Sequence, residues 1–185
     1  MVNVTFDEFR DAVLEALEEV GLSVKIFGGV AVSVYDKDRD TIDIDMAVRK
    51  DLEDVNKLIV ALESIGFSTK EKMLDDIFGA DPHQEEFLFA MCRLTSDSPK
   101  FSNYHIDLCF EFGSHSYETL EAEETDIGGN KVLVVTLPQL IAMKKKVNPP
   151  RPQDIKDIQV LSSLIEDDVL TPSNIFTGRK NNGLE

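Results

Sequence analysis

Residues 27–46 read FGGVAVSVYDKDRDTIDIDM, and this stretch decides the fold. An apolar strand end at Phe27 runs into the pair Gly28-Gly29. A short apolar segment follows, then a charged turn, then a strand that carries Asp43 and Asp45 in alternation with apolar residues. Side chains two apart on a strand share a face, so these two aspartates stand about 6.6 Å apart at the backbone on one side. Ile42, Ile44 and Met46 are then expected to point the other way, into a core. Two carboxylates aimed off one face of a buried strand are costly unless a cation meets them. A divalent metal supplies that charge, and Mg²⁺ in particular favours one or two carboxylates together with substrate phosphates. Glycines without Cβ atoms let the backbone at Gly28 and Gly29 come close to a phosphate, and N–H groups opening a helix favour an anion.

The order apolar-Gly-Gly, thirteen intervening residues, then Asp-x-Asp between apolar neighbours resembles the signature of the nucleotidyltransferase superfamily, the DNA polymerase β-like fold. Arg39-Asp40-Thr41-Ile42-Asp43-Ile44-Asp45 is similar to the R-x-T-x-D-x-D form of its small prokaryotic members. Many members have Gly-Ser where this chain has Gly28-Gly29. Ser33, one helical turn onward, is the candidate substitute for that phosphate-binding hydroxyl, and equally a small core-facing residue.

The bulk composition sets limits. A chain of 185 residues with 42% hydrophobic and 29% charged residues builds a soluble core of one domain. The expected unit is 1–170, with a core over about 22–135, C-terminal helices over about 137–166 and a tail over 171–185. No run approaches the ~20 apolar residues of a membrane span, and the N-terminus lacks the basic-then-apolar order of a signal peptide. Cys92 and Cys109 fit neither a zinc spacing nor a disulfide framework, so a reducing cytoplasm is the expected compartment. The net charge of −16 repels phosphate at long range, which argues against a duplex-DNA partner. A nucleic-acid substrate would need a local basic patch, and Lys144-Lys145-Lys146 is the candidate.

The periodicities outline an α+β fold, a mixed sheet flanked by helices with a helical element at the C-terminal end. Thr5-x-x-Glu8 has the form of a capping box ahead of Phe6, Phe9, Val13, Leu14 and Leu17 at helical spacing. Residues 22–27 read as a strand. Asp51-x-x-Asp54 opens a helix with Val55, Leu58, Ile59, Leu62 and Ile65 on one stripe. Residues 67–73 and 87–94 read as strands, with a loop over 74–83 between them. Gly128-Gly129-Asn130 reads as a hairpin turn. Leu137-Pro138 begins a helix with proline in its first turn. The last helix places Ile155, Ile158, Leu161 and Ile165 on one stripe.

In residues 104–110, YHIDLCF, Asp107 is a lone carboxylate among Ile, Leu and Phe. It is either an edge-strand group facing water or a third metal carboxylate, brought beside Asp43 and Asp45 by sheet pairing. The superfamily resemblance implies the second, because its members place a third Asp on such a strand. His105 shares the strand face of Asp107, and a single histidine does not by itself make a metal site. Leu140-Ile141-x-x-Lys144 followed by Arg151-x-x-Asp154-x-x-Asp157 is similar to an element of AbiEii-like, toxin-type minimal nucleotidyltransferases. That resemblance implies phosphate contact by Lys144 and support of the site by Asp154 or Asp157. The bare sequence equally allows a solvated lysine run and a helix N-terminus complemented by acids. Arg39 either contacts a triphosphate or pairs with Asp36, Asp38 or Asp40.

The function so implied is transfer of an NMP from an NTP to a hydroxyl of tRNA, a protein or a small molecule, with Mg²⁺ or Mn²⁺ as cofactor. Asp43 and Asp45 would hold one ion against the triphosphate. Asp107 would hold a second and receive the hydroxyl proton, while Gly28, Gly29, Ser33, Arg39 and Lys144 would line the nucleotide. Two other classes stay open. One is a non-catalytic nucleotide-sensing or toxin–antitoxin-type module, with its acidic surface on a basic partner protein. The other is a Mg²⁺-dependent phosphohydrolase or nuclease, which the upstream Gly-Gly element disfavours.

Overall fold

A computed structural model of the chain describes residues 4–69, 77–78, 89–112 and 115–166. In chain order the elements are α1 (Phe6–Val20), β1 (Lys25–Phe27), α2 (Gly28–Ser33), β2 (Asp43–Ala47), α3 (Leu52–Ser64), β3 (Phe67–Ser68), β4 (Phe89–Ser96), β5 (His105–Phe112), β6 (His115–Ser116), β7 (Ala122–Ile127), β8 (Asn130–Val135), α4 (Leu137–Lys145) and α5 (Pro152–Glu166). Most expected elements are present. The strand expected over 22–27 shortens to Lys25–Phe27. Of the strand expected over 67–73, Phe67–Ser68 lies among the described residues. Most of the expected 74–83 loop, His83 and the 171–185 tail lie outside them.

Seven strands pair in the order β3-β4-β5-β2-β1-β8-β7, with β6 paired to β5. The sheet is mixed: β1 runs antiparallel to β2 and parallel to β8, and β2 runs parallel to β5. Register makes two rows across its centre. Ile44 pairs Ile106 and Met46 pairs Leu108, while on the next strand Leu94 pairs Ile106 and Cys92 pairs Leu108. All six are fully buried. They belong to one apolar cluster that extends from Phe9 of α1 through Val55, Leu58 and Leu62 of α3 to Leu161 of α5. The other row carries the polar residues: Asp43 opposite His105, and Asp45 opposite Asp107, which is itself opposite Arg93.

Local signals account for the helices. The Glu8 amide donates to Thr5 Oγ1 at 3.3 Å while Glu8 Oε2 accepts from the Thr5 amide at 2.8 Å, completing the capping box. Gly21 ends α1 in the left-handed region at φ 67°. Asp51 caps α3 by accepting from the Asp54 amide at 2.9 Å. Gly128 and Gly129, both at positive φ, make the two-residue turn that joins β7 to β8. Phe9 seats α1 on the sheet, with its ring stacked on Tyr104 at 4.7 Å and tilted against Phe67 and Phe101. Among the described residues no helix is long and apolar enough to cross a membrane.

Two burial expectations are corrected. Ile42 is 58% exposed. It precedes β2, so strand alternation does not govern its side chain, and its carbonyl accepts from the His105 amide at 3.3 Å. Ile155 and Ile165 are also exposed, because α5 turns a different face inward. That face begins with the carboxylates of Asp154 and Asp157 and continues to Leu161. The charge network described below, rather than the apolar stripe, sets the rotation of the helix.

Candidate functional site

Gly28 takes a φ of 65°, and a Cβ built there would lie 1.8 Å from Asp45 Oδ2. A Cβ on Gly29 would lie 2.5 Å from Thr41 Oγ1. The glycine pair is therefore required by the chain itself: β2 and its approach turn pass so close that no larger side chain fits. Thr41 Oγ1 donates to Asp43 Oδ1 at 2.5 Å, which fixes one of the two carboxylates. Gly28→Ala is expected to destabilise the chain by about 1–2 kcal/mol through the left-handed backbone alone. It should also turn Asp45 away, and a thermal melt with a nucleotide-binding assay on the same sample reads both effects.

Asp107 is buried and ion-paired to Arg93. The guanidinium donates from Nε to Oδ1 at 2.7 Å and from its NH2 nitrogen to Oδ2 at 2.6 Å, a two-pronged fork. Of the two readings of Asp107, the water-facing one is therefore excluded. His105 Nε2 stands 3.6 Å from Asp43 Oδ2. One ligand atom each from Asp43, His105 and Asp107 can lie within 4.8 Å of one another. Asp45 is the cross-strand neighbour of Asp107 but is outside that triplet, with its carboxylate against Gly28. Burial, joined by the charges of Asp43 and Asp107, pushes the Asp45 carboxyl up to about 7 against the opposing pull of Lys144 and Arg151. A cluster of hard oxygen donors whose like charges hold one member partly protonated fits a divalent cation. His105, which alone makes no metal site, stands with Asp43 and Asp107 by position.

The C-terminal helices close the other side. Lys144 is 7% exposed, so it is not part of a solvated run. Its Nζ lies 2.6 Å from Asp157 Oδ2 and 3.4 Å from Asp154 Oδ1. Arg151 forks onto Asp154 at 2.6 and 2.9 Å, Gln153 donates to Asp157 at 2.7 Å, and Arg39 Nε donates to Asp157 Oδ1 at 3.0 Å. Arg39 also donates to the Asp40 carbonyl. Its carboxylate partner is thus on the last helix rather than in its own turn. The Lys144–Lys146 patch is split: Lys144 and Lys146 line the cleft, while exposed Lys145 does not. Ser33 donates its hydroxyl to the Val30 carbonyl at 2.7 Å and does not line the cleft.

Hydrogen bonds from Arg151 lower the Asp154 carboxyl below its ordinary value. Burial raises Asp157, but its bonds to Lys144 and Gln153 outweigh burial and the net shift is down. Carboxyls lowered by folding contribute stability that is complete above the unfolded value of about 4 and lost as pH falls through the folded value. Thermal midpoints are expected to drop steeply below about pH 4. Asp154→Asn and Asp157→Asn should flatten that limb.

Together these groups enclose a cleft of about 650 Å³. Its lining holds Arg39, Arg93, Lys144, Lys146 and Arg151 against Asp43, Asp45, Asp107 and Asp154. In a chain of net charge −16, cations equal to or exceeding the acids mark a local reversal of field. The structure brings Gly28, Gly29, Arg39, Asp43, Asp45, Asp107 and Lys144 to one cleft and leaves Ser33 outside it. Arg93 was missed by sequence reasoning, although a lone cation in an apolar strand was a signal of the same kind as Asp107.

No family model matches the chain, and no curated protein matches it. Solved structures do. ANT(2″)-Ia in complex with adenylyl-2″-tobramycin superposes with a TM-score of 0.60 at 17% identity, over 96% of this chain and 100% of that one. LnuA, a lincosamide antibiotic adenylyltransferase with lincomycin bound, gives 0.59 at 16% identity, over 88% and 99%. An antigenic nucleotidyltransferase-like protein from Paracoccidioides brasiliensis gives 0.55 at 17% identity, over 88% and 79%.

Proposed function

We propose, from the nucleotidyltransferase fold that the chain shares with these structures, that it transfers an NMP from an NTP to a hydroxyl of a small-molecule acceptor in the cytoplasm. The observation that carries the reading is the register of β2 against β5, which sets Asp45 beside Asp107 and Asp43 beside His105 at the floor of a cation-rimmed cleft. A cleft of about 650 Å³ is of the size that takes one small ligand or cofactor. The acidic exterior disfavours a long polyanionic acceptor such as tRNA, and of the similar structures one holds adenylyl-2″-tobramycin and another is a lincosamide antibiotic adenylyltransferase with lincomycin bound.

In this reading Lys144, Arg39 and Arg151 meet the phosphates, with the guanidinium groups acting as planar donors and the ammonium as a point charge. The acceptor oxygen attacks the α-phosphorus, the bond from that phosphorus to the bridging oxygen breaks, and pyrophosphate leaves. The hydroxyl proton passes to Asp107 through a lone pair that the Arg93 fork does not use, since a carboxylate offers about four such sites. A divalent cation held by Asp43 and Asp45, with His105 beside them, would neutralise the departing pyrophosphate and acidify the acceptor hydroxyl.

The test is thermal unfolding with ATP, CTP, GTP or UTP, each with and without Mg²⁺. A ligand that binds the native state alone stabilises it by about 2.7 kcal/mol at a hundredfold excess over Kd, so one nucleotide should raise the midpoint in a Mg²⁺-dependent way. No shift with any of the four sinks the reading.

A further inference from the structure

Asp107 and Arg93 form the best-made ion pair of the site, and the mechanism above does not need it. Both oxygens of Asp107 accept from the guanidinium, at 2.7 and 2.6 Å. The carboxylate side chain is 5% exposed and the arginine 46%, so Arg93 lies on the solvent side of a buried anion. Arg93 is anchored on β4, directly opposite Asp107 in the register, and it lines the same cleft as Asp43 and Asp45. It is therefore a fixed part of the site, not a surface side chain that happens to reach in.

Charge then decides how many cations the resting site can hold. Without Arg93 the three carboxylates present up to three negative charges once a cation displaces the Asp45 proton, enough to hold two divalent ions in part. With the fork in place, Asp107 is neutralised, and the unpaired negative charge is that of Asp43 and Asp45. A second divalent cation beside Asp107 would meet a guanidinium within hydrogen-bond distance of the same oxygens, where two like charges repel strongly. We infer that Arg93 occupies the place of a second divalent cation, so that the nucleotide-free chain takes one divalent ion and Arg93 acts as a positioning residue that holds Asp107 in its orientation. The inference rests on the nucleotidyltransferase reading and goes beyond it, because it assigns a role to a residue outside the Gly-Gly, Asp-x-Asp and third-Asp pattern.

The experiment counts bound Mn²⁺ per chain from the loss of the free-ion paramagnetic resonance signal, without nucleotide and at low ionic strength. Wild type is expected to bind one ion. Arg93→Met, which keeps the length of the side chain and removes its charge, is expected to bind one more. Arg93→Lys, which keeps the charge and loses the fork, is expected to bind one, as wild type does. Circular dichroism checks folding. If the Met variant does not fold, Arg93→Gln replaces it, since its amide still donates to Asp107. Wild type binding two ions, or a neutral variant binding the same number as wild type, overturns the inference. In either case the nucleotide melts described above still stand or fall by themselves. Absence of Mn²⁺ binding in every variant, together with no nucleotide-dependent stabilisation, overturns both the inference and the reading beneath it.

Discussion

Asp43→Asn and Asp45→Asn are each expected to lower nucleotidyl transfer by at least about a thousandfold, the scale on which removal of one preorganised charge-stabilising or proton-transfer group acts. The assay is release of labelled pyrophosphate from NTP labelled at the γ-phosphate, with the acceptor in excess. The two variants should differ in stability. Asp43 is partly exposed and keeps Thr41 as a donor, so its amide should melt close to wild type. Asp45 is held up to about 7, mainly by burial. A folded pKa above the unfolded value means that the charged form opposes folding, with the cost growing as pH rises from about 4 towards that folded value. Asp45→Asn removes the cost, so its midpoint at neutral pH and without metal should lie above that of wild type. Unfolding of both variants would mean that the aspartates are structural, and the catalytic assignment would fail.

Lys144→Met should cost about 2–3 kcal/mol of stability, or roughly 4–12 °C in the thermal midpoint for a chain of this length. Breaking a buried ion pair from one side typically costs about 3–5 kcal/mol, because an uncompensated charge is left inside. Here the loss is smaller, since Asp154 keeps the Arg151 fork and Asp157 keeps Arg39 and Gln153. A double-mutant cycle with Asp157→Asn isolates the pair, whose contact of 2.6 Å should appear as a coupling energy of about 1 kcal/mol or more. The same variant should weaken nucleotide binding, since Lys144 is one of the cations in the cleft. A midpoint within about 1 °C of wild type would show that Lys144 does not carry the buried charges, since even 1 kcal/mol shifts a chain of this length by about 2–4 °C.

How much of this was legible in the sequence follows from the range of each interaction. The Gly-Gly pair, the Asp-x-Asp alternation, the Thr5 and Asp51 caps and the Gly128-Gly129 turn are local, and local chemistry can be read residue by residue. The pairing of Asp45 with Asp107 depends on a parallel β2–β5 contact across sixty-two positions, and the superfamily resemblance, not periodicity, anticipated it. The ion pair of Arg39 with Asp157 spans 118 positions, and nothing near Arg39 distinguishes that partner from Asp36, Asp38 or Asp40. Helix α5 shows the limit of apolar periodicity. Its stripe of Ile155, Ile158, Leu161 and Ile165 fits a helix well, yet two buried carboxylates outweigh it and turn Ile155 and Ile165 to solvent. The glycine pair reads in sequence as a close approach to phosphate, whereas in the structure what crowds Gly28 is Asp45 itself.

That long-range pair has a consequence for how the protein comes into being. The carboxylates are all laid down by residue 107, but Arg39 does not meet Asp157, nor Lys144 its two aspartates, until the last helix has been synthesised. Chains grow from the N-terminus, and their early parts fold first. A nascent chain that has reached Val135 already possesses the acidic floor, and none of the cations that the last two helices bring to it. On the proposed reading, the set of cations that meets a triphosphate is therefore complete only once residues 137–157 have been made and folded back onto the sheet.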